Sequence, residues 1–544
     1  HLDLAHLFDI AQLSDIAQLS DIAQLSDIAQ LSDIARNNVD GTLVALSLKD
    51  GPANVSGNER VEHEVHELTG PYFLGVIAHD DAAVGQPFTI DITITTPDPL
   101  PTNPEEPERD FATPATDASI ETLILTNEAR LAALYGQDGA DTVRASLDAL
   151  AADPSVHGVV VNLDTVQDDD PTHDFALRDV YATWDEDNTA ELRNPQTANR
   201  VAQTIKHFLY DVIPAYPNLK YIVLAGGDEV IPYRRIPDFT LMANQRRYTK
   251  AQDPAIAAAY ENRYFLSDDY YAAALPFNAF GRELYLPQFA IGRLVETPDE
   301  IAHMIAVYQG DADRTMQPQS ALVTGYSFLI DQATAVSEEL GARGVTNQTT
   351  LIDNDWMGPD FRDAALDGTH YDLISLNSHF DHRLFYPNGS ETAPNNLVFA
   401  DELDDGNNDF SGSLVFSVGC QSGLNVGDRW YDPGTPFMGA DWAQMLARQG
   451  ASFLGNTGFG YGDADLLAYS ERLMLNFVDQ LGYNPSGNAA GNPSVGGALL
   501  EAKQQYFNEK AGGTLSVYDE KLLSEMTLYG LPMQKVELPN QTAV

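Results

Sequence analysis

The amino-acid sequence predicts an α/β protein whose mostly parallel sheet is built in two halves, preceded by a small all-β domain and a repeat arm. Three observations predict this. From residue 118 to 537, continuous apolar runs of strand length alternate with segments of helical spacing, the pattern of a parallel sheet covered on both faces. Residues 37–100 instead carry short alternating runs rich in β-branched side chains, as strands with one exposed face do. Residues 9–35, within an arm of residues 1–36, repeat a six-residue unit, Asp-Ile-Ala-Gln-Leu-Ser.

In that repeat Ile and Leu recur every three residues, which drifts by about 60° per step around a 3.6-residue helix and never settles on one face. So few units are also too short for a stacked solenoid. The arm is therefore expected to be low-complexity, ordered only where a partner or the next domain covers it. Residues 101–117, rich in proline and acids, cannot continue a sheet and read as a linker. The first α/β half, 118–316, has strands expected at Glu121–Thr126, Gly158–Leu163 and Tyr221–Ala225, with helices at Ala140–Ala151 and Asn199–Val212. Thr297-Pro-Asp-Glu300 is a capping box opening a helix over Glu300–Tyr308. The second half, 317–537, has strands expected at Ala321–Thr324, Asp372–Leu376, Leu414–Val418 and Ala451–Leu454. Its helices are expected at Ala333–Leu340, Asp441–Arg448 and Asp465–Gln480.

With 80 acidic and 30 basic residues the formal charge is -50, so nucleic-acid backbones and anionic membrane surfaces are repelled at long range. The bias is to short carboxylates, 54 Asp to 26 Glu, and away from lysine, 8 Lys to 22 Arg. That balance suits a chain working at high salt, or simply an acidic secreted one. No apolar stretch reaches the roughly 18 residues of a membrane span. The sequence starts at His1 and reads as a processed piece. Sequons at Asn54, Asn347, Asn388 and Asn540 permit glycosylation of a secreted chain.

One cysteine, Cys420, excludes an intrachain disulfide framework. It closely follows the strand ending at Val418, as His379 follows the strand ending at Leu376. Loops leaving the carboxyl ends of parallel strands line the ligand crevice, so neighbouring strands would bring thiol and imidazole together. An imidazole favours the thiolate and can protonate a leaving amine. Gly419 and Gln421-Ser422-Gly423 let a substrate backbone approach, and the amides of Cys420 and Phe380 are the expected oxyanion donors. A buried, inert cysteine at a glycine turn is the plainer alternative. No Cys/His spacing suits zinc. Gly455–Gly462 lacks the Lys-Ser/Thr ending of a phosphate loop and is expected to shape a cleft wall.

Six segments carry a family resemblance: Tyr221–Pro232, Ser267–Tyr270, Pro287–Leu294, Asp372–His379, Ser417–Gly423 and Gly450–Thr457. With Gly496–Lys503 and Leu528–Pro532, which look like a last helix and final strand, they make residues 118–537 similar to the gingipain-type cysteine peptidases. The resemblance implies a caspase-like fold, Cys420 as nucleophile within Ser417-x-x-Cys420-x-x-Gly423, and His379 as its proton-transfer partner. It departs from the family at Phe380, where glycine is usual, and His382 is the alternative base. It also implies a preference for a basic residue before the scissile bond, for which Asp331 is the S1 candidate. Calcium is a candidate ligand for Asp404–Asp409 and Asp168–Asp170, and no other cofactor is required.

The function expected is a secreted or cell-surface cysteine endopeptidase acting on polypeptides. Its rivals are a sortase-like transpeptidase, and a weak or inactive surface or assembly scaffold that finds its partners through the N-terminal arm.

Overall fold

The computed structural model describes residues 110–540 apart from 170–174, 190–193, 280–281, 388–394, 405, 432–438, 464–465, 483–493 and 511–514. The repeat arm, the expected β domain and most of the linker lie outside the described residues.

Most of the expected apolar runs form strands, and Asn347–Ile352, a mostly polar run, is a strand the sequence reading did not expect. In chain order they form β1 (Thr122–Thr126), β2 (Gly158–Asn162), β3 (Tyr221–Ala225), β4 (Ala290–Leu294), β5 (Ser320–Gly325), β6 (Asn347–Ile352) and β7 (Leu373–Ser375). A side hairpin of β8 (His379–Phe380) and β9 (Leu384–Tyr386) follows, then β10 (Leu414–Phe416), β11 (Ser452–Asn456) and β12 (Met526–Tyr529). Without the hairpin these make one ten-stranded sheet, in the order β6-β5-β7-β10-β11-β12-β4-β3-β1-β2. Every neighbouring pair is parallel except β11 with β12. Strands β1, β3, β4 and β11 are buried along their whole length, as a sheet flanked by helices on both faces demands.

The helices that matter to the site are α1 (Glu128–Ala151), α2 (Pro195–Val212), α3 (Pro298–Gly310), α4 (Ile330–Ala342), α5 (Trp442–Arg448), α6 (Tyr469–Gln480), α7 (Val495–Lys510) and α8 (Val517–Glu525). The capping box at Thr297 and Glu300 forms as expected, with Pro298 in the first turn of α3. Helix α2 starts earlier than expected, because the Asn194 side chain accepts from the Gln196 amide and Pro195 fits the first turn. Helix α6 starts later than expected, at Tyr469. The Glu471 carboxylate turns back to accept from the amides of Asp463 (2.9 Å) and Ala468 (3.3 Å). The run Gly496–Lys503 lies in α7, which is not the last helix: α8 intervenes before β12, and a two-residue strand, Lys535–Val536, follows it.

Segments that carried the family resemblance meet in a buried ion network at the seam of the two halves. Arg293 on β4 pairs with Asp268 at 2.5 and 2.8 Å, and donates to the carbonyls of Gly226 (2.7 Å) and Ile231 (2.9 Å). Next to Asp268, Asp269 holds Lys503 of α7 at 2.7 Å, and Lys503 also donates to the Met526 carbonyl at the start of β12. All four charged side chains are buried. Charges survive such burial only when paired and hydrogen-bonded, which explains why these segments carry these residue types.

Candidate active site

Strand β10 stops at Phe416, two residues short of the expected end, because Ser417 turns the chain and its Oγ accepts from the Gly419 amide at 3.0 Å. The turn that follows is held from behind. Asn456, the last residue of β11, donates through Nδ2 to the carbonyls of Val418 (3.0 Å) and Gly419 (3.3 Å). The amides of Gln421 and Gly423 donate to the carbonyls of Gly458 (2.6 Å) and Asn456 (2.8 Å). Gln421 takes a positive φ of 51°, a conformation costing a non-glycine residue about 1–3 kcal/mol. Cys420 sits at the crest, partly exposed, its Sγ 3.8 Å from the Gly460 carbonyl. The plainer reading, a thiol sealed in apolar packing, does not describe this environment.

β7 and β10 are paired neighbours, the condition under which His379 and Cys420 emerge at one edge. His379 is not on a free loop, however: it opens the β8–β9 hairpin, paired with Tyr386. The Asp381 carboxylate closes the two-residue turn, accepting from the amides of Arg383 (2.8 Å) and Leu384 (3.0 Å). Alternation along a strand sends successive side chains to opposite faces. Phe380 thus goes inward, stacked on Phe385 at 5.1 Å between centroids and edge-on to Trp442 at 5.7 Å. His379 faces the other way, among the rings of Tyr386, Tyr326 and Phe328.

The two elements touch next to both Cys420 and His379. A Cβ added at Gly419 would run into the Phe380 ring, so Gly419 lies flat against Phe380. Cys420 and His379 are the chain neighbours of that contact. Phe380 itself sits in extended strand. The Asp381 amide donates to the Leu384 carbonyl at 2.8 Å, and alternation of an antiparallel ladder then turns the Phe380 N–H away from β9. A bulky residue is accommodated because its ring is in the core, and the left-handed angles open to glycine are not needed.

His382 has no such access. It is buried, with Nδ1 against the Tyr248 hydroxyl and Nε2 3.1 Å from Gln252 Oε1. Burial outweighs the neighbouring Asp381 and lowers its imidazole to about 3. It is a neutral core histidine and not an alternative base. Asp331 stands in the first turn of α4, half-buried, its Oδ1 accepting from the Gln332 amide at 2.8 Å. Burial raises its carboxyl, as does Asp463 nearby. Glu471 is raised to about 9, chiefly by burial and also by Asp331 and Asp463. The sequence reading missed these two partners. A Cβ at Gly462 would meet Glu471 Oε1 and the Phe328 ring, each at 2.8 Å, which puts the acidic group against a glycine two residues from Gly460, whose carbonyl faces Cys420 Sγ.

The two acidic runs expected to bind calcium, Asp404–Asp409 and Asp168–Asp170, are only partly among the described residues. Among the described residues no group of three or more His, Cys, Asp or Glu side chains could hold a metal ion. Asp404 lies 3.5 Å from Arg448, Asp409 lies 3.7 Å from His370, and Asp168 accepts from the Asp110 amide. Asp170 and Asp405 fall outside the described residues.

The match to the model of peptidase family C25 runs over residues 172–537. The chain belongs to that family, the gingipain family. Comparison with curated proteins finds no match. Among solved structures, the crystal structure of the Arg-specific cysteine proteinase gingipain R shares 14% identity over 78% of this chain and 80% of that one, with a TM-score of 0.47. A complex of the pro- and mature domains of Porphyromonas gingivalis RgpB shares 14% over 76% and 79%, also at 0.47. In this chain the motif residues Ser417, Cys420 and Gly423 occupy one turn; of the residues sequence reasoning missed, Asn456 clamps that turn, Tyr386 stacks on His379 and Glu471 meets Asp463. Asn456 lay inside the Gly450–Thr457 segment that had been singled out, but nothing in its type signals a clamp.

Proposed function

We propose that this C25 family member is a secreted or cell-surface cysteine endopeptidase working through Cys420 and His379. The observation that carries the reading is the Gly419–Phe380 contact, which supports a thiol and an imidazole facing one cleft from adjacent strands. Cys420 Sγ, as thiolate, attacks the scissile carbonyl carbon, and the carbonyl π pair moves to oxygen, where the Phe380 and Cys420 amides are its donors. Collapse breaks the C–N bond, and the departing amine takes a proton from the His379 imidazolium. Water then attacks the thioester, gives its proton back to His379, and releases the acid and the thiolate.

A basic residue before the scissile bond suits the carboxylates of Asp331 and Asp463, near Phe328 and Gly462. An amine in place of water would give transpeptidation at the same centre, and products formed with added glycine amide report which acceptor is used. The test of the main reading is covalent labelling by a peptidyl chloromethyl ketone ending in arginine. Label is expected on Cys420, absent in Cys420→Ala, and formed at least about 10²-fold more slowly in His379→Ala. Equal labelling of the wild type and His379→Ala would remove the dyad and favour the scaffold reading.

A further inference from the structure

We infer that Tyr386 is a positioning residue for the imidazole of His379, holding it by ring stacking; this rests on the peptidase reading above. The two residues are directly opposed across the β8–β9 ladder, where cross-strand side chains on one face come closest. Their rings stack at 5.2 Å between centroids with planes 27° apart. Tyr326 and Phe328 meet the same imidazole edge-on at 5.8 and 6.4 Å.

The face that stacks is itself fixed. Ser378, just before His379, donates from Oγ to the Tyr386 carbonyl at 2.6 Å, and the Asp381 turn sets the hairpin register. On the opposite side Phe380 and Phe385 are locked against Trp442, so the hairpin cannot tilt without opening the core. A flat partner restricts the imidazole to planes roughly parallel to the tyrosine ring, leaving rotation within the plane to aim a nitrogen at the thiol. The negative face of an aromatic ring also favours a cationic neighbour, here the imidazolium that accompanies the thiolate. The tyrosine hydroxyl has no part in this account; the ring face has all of it.

The consequence is a separation of rate from binding. With the arginyl chloromethyl ketone, Tyr386→Leu is expected to lower the maximal labelling rate roughly 10- to 100-fold, with the half-saturating concentration changed less than about twofold. Tyr386→Phe keeps the face and should label within about threefold of wild type. Tyr326→Leu, which removes an edge contact, should give an intermediate loss and serves if Tyr386→Leu does not fold, as judged by its thermal transition. Wild-type rates in a folded Tyr386→Leu or in Tyr326→Leu would overturn the inference, as would a Tyr386→Phe loss equal to that of leucine. Failure of the wild type itself to label at Cys420 would overturn the peptidase reading instead.

Discussion

At the scale of single residues, the site separates by what each side chain touches. His379 and His382 are three positions apart, yet one lies half-buried among aromatic rings and the other is sealed between Tyr248 and Gln252. The sequence could not rank them from residue type; strand alternation through the hairpin does so. Asp331 was legible only as one acid among many, because its partners Asp463 and Glu471 are more than 130 positions away and meet it through the fold. If the carboxylates of Asp331 and Asp463 read a basic side chain, Asp331→Asn should lower kcat/KM for arginyl peptides by about 10- to 100-fold, the worth of a charged hydrogen bond. Peptides with a neutral residue at that place should be cleaved at nearly the original rate. A uniform loss across both peptide sets would show instead that Asp331 supports α4.

At the scale of elements, most strands and most helices were readable because buried parallel strands are continuous apolar runs and helix starts carry their caps. The β8–β9 hairpin was not readable. Its strands are two and three residues long, shorter than any periodicity can establish, so His379 was expected on a loop. Phe380 looked like a defect for the same reason: its inward direction depends on the register of that hairpin. The charged residues of the resemblance had an address but no role until the fold joined them. Arg293→Met should therefore destabilise the chain by about 3–5 kcal/mol, because Asp268 is left buried without its partner. Urea denaturation measures this, and replacing both residues together (Arg293→Met with Asp268→Leu) should recover part of the loss. A near-neutral single substitution would mean that the pair is not holding β4 to the Asp268 loop.

At the scale of the whole molecule, charge dominates. Burial raises the carboxyls of Asp253, Asp269 and Asp479 to about 6, and those of Asp441 and Glu520 to about 7. Each binds a proton in the folded chain that the unfolded chain, with carboxyls near 4, has already lost. Their contribution is complete below about pH 4 and fades as pH rises through 6 to 7. Lys206, lowered to about 7 chiefly by burial, works on the other side: its desolvation penalty is relieved from about pH 7 towards 10.5. The melting temperature should consequently fall between about pH 5 and 7.5, and rise with salt at neutral pH as the self-repulsion of a -50 chain is screened. Calorimetry across pH at low and high salt checks both slopes; a rising limb from pH 5 to 7.5 would show that the buried acids do not govern stability.

The place of β12 bears on how this protein comes into being. This strand is the last of the ten in sequence, yet it stands in the middle of the sheet, antiparallel to β11 and parallel to β4. During synthesis, every other strand emerges first and waits, with β11 and β4 each exposing a bare edge. The ribosome must release residue 529 before the two half-sheets can be zipped together. Until then β11, whose final asparagine braces the Cys420 turn, lacks a neighbour on one side, so a nascent or prematurely terminated chain would hold its thiol in an unfinished setting, a built-in delay between translation and completion of the candidate site.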